Sequence, residues 1–176
     1  MINEEYLIRL KTIFEELNVP QEYFRATKIP LCEEAENLVD IGEDVFGRKQ
    51  RLLKPVAELW SQMKSAAQRD GVEIDVISAF RSVDYQKQLI QRKLEKGIVI
   101  DEILKVNAPP GFSEHHTGRA LDITTKDCEP LSEAFENTEA FHWLSNNAIR
   151  FGFSLSYPRD NPYGIIYEPW HWAVTE

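Results

Sequence analysis

Long hydrophobic runs are missing from this 176-residue chain, and no stretch approaches the roughly 20 consecutive apolar residues that a membrane-spanning helix requires. The opening residues Met1-Ile2-Asn3-Glu4-Glu5 lack the basic start and apolar segment of a secretory signal. On the sequence as given a cytoplasmic location is expected, with the cell envelope as the alternative if the chain belongs to something longer. Cysteine is scarce. Cys32 and Cys128 are too few and too far apart for a disulfide framework, so unpaired thiols are expected, with a single bridge as the alternative. Positive charge is also in short supply: 20 Lys and Arg against 29 Asp and Glu leave a formal net charge of −9. No basic stripe interrupts that balance, which argues against nucleic acid or an anionic membrane surface as partner. Internal repeats and low-complexity tracts are absent too. A small or short polymeric ligand and a monomeric protein are expected.

What is present is enough for one sizeable core, with 43% hydrophobic residues. A single domain over 1–176 is expected, with an N-terminal helix and irregular extension over 1–49 and a core over 50–176. Tyr6, Leu10, Ile13, Phe14 and Leu17 recur at helical spacing until Pro20. Residues 21–50 are mixed and acidic, and irregular structure is expected there. A second helix is expected from Lys54 to Asp70, with Pro55 in its first turn and Gly71 beyond its end. Glu73 to Phe80 is expected to be a strand that delivers Arg81 at its end. Ser82 caps a further helix whose expected apolar face is Tyr85, Leu89, Ile90 and Leu94. A second strand is expected over Gly118–Ile123, a helix from Thr138 to Phe151, a short strand over Phe153–Tyr157, and strands broken at Pro169 between Ile165 and Val174. Helices around strands that do not alternate as βαβ units imply an α+β fold with a small, mainly antiparallel sheet.

The chemistry gathers in two segments, Pro110 to Asp122 and Glu168-Pro169-Trp170-His171-Trp172, which hold three of the four histidines. His115, Asp122 and His171 are a set from which a catalytic zinc can take three ligands, leaving a position for water. A histidine beside an apolar strand, read alone, is more often a satisfied core or surface residue than a ligand. Glu168, three residues before His171, is placed to act as a general base. His142 reads as a helix-surface residue, and Cys128 lacks the base a nucleophile needs.

Ser113-x-His115-x-x-Gly118-x-Ala120-x-Asp122 with Glu168-x-x-His171 resembles the signature of the zinc D-alanyl-D-alanine carboxypeptidases of the VanY type. Ser78-Ala79-Phe80-Arg81-Ser82 with Gln86, Phe151-Gly152-Phe153 and Ser156-Tyr157-Pro158 extend the similarity over roughly residues 50–174. The resemblance implies the Hedgehog/DD-peptidase fold and one zinc ion per chain held by His115, Asp122 and His171. It makes Glu168 the base that activates water and then protonates the leaving amine, and Arg81 the stabiliser of the oxyanion. Ser113, Gln86 and Tyr157 become candidates for binding the substrate, Trp170 for packing or a pocket wall, and His116 for a neighbouring loop residue, with a swap for His115 left open. The implied reaction is hydrolysis of the terminal D-Ala-D-Ala bond of peptidoglycan stem peptides. An L,D-carboxypeptidase, an endopeptidase with the same metal centre, and a non-catalytic zinc-stabilised module are the alternatives.

Overall fold

The structure is a computed structural model that describes residues 3–175. Helix α1 (Glu4–Leu17) starts where the Asn3 side chain accepts from the Glu5 N–H. It ends at Asn18, whose left-handed backbone (φ 56°) closes the last turn before Pro20 is reached. Its buried face is Leu10, Ile13, Phe14 and Leu17, as the spacing implies. The stretch expected to be irregular is more ordered than that. After a single helical turn, α2 (Tyr23–Ala26), strands β1 (Leu38–Glu43) and β2 (Lys49–Leu53) form an antiparallel hairpin.

Helix α3 (Lys54–Arg69) follows at once, with Pro55 in its first turn and Gly71 at φ +78° just past its end. Strand β3 (Asp75–Ser78) then leads through Arg81 into α4 (Val83–Glu95), which the Ser82 side chain caps by accepting from the Tyr85 N–H. The inward face of α4 is Val83, Gln86 and Ile90, whereas Tyr85 is exposed, so the buried stripe is rotated from the purely apolar one and takes in a polar glutamine. Helix α5 (Ile100–Val106) and a 3-10 turn (Glu114–Thr117) precede β4 (Ala120–Thr124). Helix α6 (Glu139–Asn147), capped by Thr138, runs into a 3-10 turn that Gly152 ends at φ +80°. Strands β5 (Phe153–Leu155) and β6 (His171–Val174) complete the chain, and residues 165–170 are not a strand.

The main sheet has the order β3-β4-β6-β5 and is antiparallel throughout, which is the expected α+β architecture. Leu121 and Ile123 of β4 point into a core with Val56, Trp60 and Met63 of α3 and Leu144 of α6. A second cluster joins α1 to Val83 and Ile90 of α4, Ile103 of α5, Phe112 and Tyr157. Both cysteines are free. No helix of the described residues is long and apolar enough to cross a membrane.

The N-terminal segments hold the loop that precedes β4. The Cys32 N–H donates to the Gly111 carbonyl at 2.7 Å and the Ala35 N–H to the His116 carbonyl at 2.7 Å. Gly111 sits at φ +86° against α1, where a Cβ would run into the Leu10 side chain. The hairpin grips the end of β3 in the same manner. Gln50 Oε1 accepts from the Ala79 N–H at 2.9 Å, and Arg48 Nη2 donates to the Ile77 carbonyl at 2.9 Å. Both residues are organised by the buried Asp44 carboxylate, which accepts from the Phe46 and Arg48 N–H groups, Arg48 Nε and Gln50 Nε2 at 2.7–3.0 Å. Burial pushes that carboxyl up, but the backbone donors of Arg48 and Phe46 and the guanidinium outweigh it and hold it below its usual range.

Two stability predictions follow from these anchors. Leu10→Ala, at a position with no exposure, is expected to cost about 2–5 kcal/mol in chemical denaturation. Asp44→Asn is expected to cost about 1–3 kcal/mol at neutral pH. The depressed carboxyl stabilises the fold above its unfolded value of about 3.9 and loses that contribution as pH falls through its folded value. The gap between variant and parent should therefore narrow in acid; a gap constant down to pH 3 would show that the charge contributes nothing.

Candidate metal centre

Strand register builds the site. Asp122 lies directly opposite His171 across β4 and β6, and Ser78 of β3 faces Asp122 on the other side. Cross-strand partners have Cβ atoms about 5 Å apart, so two potential ligands meet without any contribution from a flexible loop. His115 comes from the 3-10 turn just before β4. One donor atom from each of His115, Asp122 and His171 lies within 4.8 Å of the others, and all three residues are buried.

The outer hydrogen bonds decide which ring nitrogens face inward. His115 Nδ1 lies 2.6 Å from the Ala79 carbonyl, which can only accept, so Nδ1 carries the proton and Nε2 faces Asp122 at 3.2 Å. His171 Nε2 lies 2.9 Å from the Glu114 carboxylate, so it carries a proton, and Nδ1 faces Asp122 Oδ1 at 3.1 Å. In their neutral forms both rings turn lone pairs toward a carboxylate. Three inward acceptors repel one another unless a cation sits among them, and the N, N, O set is one that zinc accepts.

The titration behaviour follows the same geometry. Burial, reinforced by Arg81, lowers His115 to about 4. Burial also opposes charge on His171, but hydrogen bonds to Asp122 and Glu114 outweigh it and raise the ring to about 10. That bound proton occupies the Nδ1 position that a metal ion would take. Asp122 is held well below the usual carboxylate range: burial raises it, and His115 and Arg81 more than reverse that. Glu168, whose Oε2 lies 3.7 Å from His171 Nδ1, is pushed up to about 7, chiefly by burial.

Arg81 extends from the end of β3 and donates through Nη2 to Asp122 Oδ2 at 2.8 Å and through Nη1 to Gln86 Oε1 at 3.4 Å. Its Nε is buried without a hydrogen-bond partner among the described residues. His116 is buried beside these groups but does not join the three donors. Its Nδ1 donates to the Arg81 carbonyl at 2.7 Å and its Nε2 accepts from the Gly111 N–H at 3.1 Å. It ties the loop to the Arg81 segment with both ring nitrogens, whereas His115 is the member of the pair that meets Asp122 and His171.

The donors open into a cavity of about 280 Å³ that Ser113, Gln86, Tyr157, Glu168 and Trp170 also line. The Tyr157 ring lies tilted against the His171 ring with centroids 4.8 Å apart, and burial raises its phenol, so it stays protonated. Trp172 packs in the core with its indole N–H on the Pro169 carbonyl at 2.9 Å. His142 is exposed, as expected, and Cys128 has no role in the cavity lining. Sequence reasoning missed Glu114. Its position next to His115 is a signal only once the strand register shows that it reaches His171.

Comparison with known proteins places the chain among relatives. The family model for D-alanyl-D-alanine carboxypeptidase, VanY, matches residues 49–175. The putative carboxypeptidase YodJ of Bacillus subtilis is 36% identical over 129 residues, 70% of this chain and 46% of that protein. A D-alanyl-D-alanine carboxypeptidase of Enterococcus faecium is 35% identical over 121 residues, 67% of this chain and 35% of that protein. The chain thus spans about half or less of the length of these relatives. Among solved structures, the LdcB LD-carboxypeptidase superposes with a TM-score of 0.72 at 33% identity, covering 80% of this chain and 69% of that one. A vancomycin-resistance D,D-pentapeptidase VanY in complex with Zn(II) gives 0.64 at 25% identity, covering 84% and 88%.

Because the Glu114 carboxylate fixes the His171 tautomer, Glu114→Ala is expected to weaken Zn²⁺ binding by roughly 10-fold or more. Competition with a chromophoric chelator measures this, and unchanged affinity would show that the carboxylate does not hold the ring.

Proposed function

We propose that this chain, which belongs to the VanY D-alanyl-D-alanine carboxypeptidase family, is a zinc-dependent carboxypeptidase that removes the terminal D-alanine from peptidoglycan stem peptides. The observation that carries this reading is the inward set of His115 Nε2, Asp122 and His171 Nδ1, with every outer ring nitrogen already satisfied, opening into a cavity beside Glu168. A zinc ion held there would polarise the scissile carbonyl and acidify a water molecule.

The chain's own groups supply the remaining steps. Glu168, buried and poised near neutrality, takes the proton from water and hands it to the departing amine of D-alanine. Arg81, oriented by its ion pair with Asp122 and lining the cavity, stabilises with its guanidinium charge the oxygen where negative charge develops. His116 and the His115 carbonyl hold the Arg81 backbone from both sides, the latter accepting the Arg81 N–H at 3.1 Å. Ser113, Gln86 and Tyr157 offer hydrogen bonds to the bound peptide, and Trp170 forms part of the wall.

A second reading, hydrolysis of an L,D bond in the tetrapeptide, is favoured by the higher superposition on the LdcB LD-carboxypeptidase. Incubating the protein with muropeptides ending in D-Ala-D-Ala or in a single D-Ala, with and without chelator, separates the two by mass spectrometry. Zinc-dependent loss of D-alanine from the first supports the D,D reading, loss from only the second the L,D reading, and loss from neither removes both. Glu168→Gln is expected to keep its zinc while lowering turnover about 10²–10⁴-fold; full turnover in that variant would take the base role away from Glu168.

A further inference from the structure

We propose that Lys93 reads the free C-terminal carboxylate of the bound peptide, which confines the chain to peptide ends. This rests on the peptidase reading of the same cavity.

Lys93 follows Gln86 by seven residues on α4 and therefore lies on the same face of the helix, the face that lines the cavity. Two turns of helix separate their backbones by about 10 Å. Their side-chain ends are brought together by the segment they touch. Gln86 Nε2 donates to the Ala108 carbonyl at 2.8 Å, and Lys93 Nζ donates to Oδ1 of Asn107, the residue immediately before it. Both side chains thus reach adjacent residues of one segment, and all four residues line the cavity. That wall lies in the same cavity as His115, Asp122 and His171.

The charge on this wall is not compensated from within. Among the described residues Asn107 is the acceptor for the Lys93 ammonium, and no carboxylate lies within ion-pairing distance of it. Arg81, the other cation of the cavity, is already paired with Asp122 at 2.8 Å. Burial and the nearby Arg81 charge both oppose the ammonium, and the Glu168 carboxylate acts on it only at longer range. A half-buried cation with a neutral partner gains most from an incoming anion. A peptide whose carbonyl sits at the donor set carries an α-carboxylate one residue further on, whereas an internal peptide bond has only a neutral carbonyl there and leaves the ammonium unpaired.

The test uses the metal-loaded full chain carrying Glu168→Gln, titrated calorimetrically with N-acetyl-Lys-D-Ala-D-Ala and with its C-terminal amide. The acid is expected to bind at least about tenfold more tightly than the amide. Lys93→Met, which keeps the stem but not the charge, should abolish that preference, and Lys93→Arg should restore it. Equal binding of acid and amide, a preference that survives Lys93→Met, or no binding of either peptide overturns the proposal. Turnover of the acid by the parent protein is a separate readout. Selective binding through Lys93 without release of D-alanine would leave the carboxylate contact standing and remove the hydrolytic reading.

Discussion

The Asp122 carboxylate is the constraint around which the molecule is arranged. It sits 2% exposed in the middle of a fully buried strand, where an ionised group is tolerated only if cations and donors surround it. Each partner arrives by a route the backbone controls. Arg81 comes from the end of β3 on one side, His171 from the paired position of β6 on the other, and His115 from the turn that feeds β4. Slipping β6 by one residue would turn His171 to the opposite face of the sheet and replace it with an apolar neighbour. The sheet register and the donor set are therefore one specification.

Elements that contribute no ligand matter because they hold those routes still. Strand β1 and the turn of the hairpin precede the region matched by the family model, and β2 opens it; through Asp44, Arg48 and Gln50 the hairpin binds the backbone from Ile77 to Ala79. Ala79 in turn gives its carbonyl to His115 Nδ1. Helix α1 and the segment from Cys32 to Ala35 press on the loop from Gly111 to His116. A buried carboxylate remote from the cavity thus reaches a ring nitrogen through three hydrogen-bonded contacts, each of them short and inside the fold.

Much of this was legible in the sequence, and the boundary of legibility has physical causes. Helices α1 and α3 and strands β3 and β4 announce themselves by apolar period because each buries a face against a large core. The hairpin did not, since its strands are half exposed and the alternation is diluted by charge. Gln86, 1% exposed, is a candidate through the family resemblance and not through its helical spacing, because a polar residue on an inward face shows only once a cavity is known to lie beside it. The coming together of His115, Asp122, His171, Glu168 and Arg81 was legible from ordered motifs. Glu114 and Lys93 were not, because each acts through a partner 14 or more residues away, Asn107 for Lys93 and His171 for Glu114.

The two innermost carboxylates, Asp122 and Glu168, differ in how their charge is matched, and that difference bears on the proposed acid–base role. In a cluster that only stabilises, each buried acid is matched by a cation and titrates low. Asp122 meets that description, with Arg81 and both histidines around it. Glu168 does not: also buried, it has His171 only at 3.7 Å, and its carboxyl is driven up toward neutrality. A fold selected for stability alone would replace such a residue with an apolar one, since a buried acid without a close partner costs free energy. Keeping one acid ionised and its neighbour poised to exchange a proton is the division of labour that acid–base chemistry requires. The residue on the ionised side belongs to the donor set, and the residue on the poised side faces the cavity.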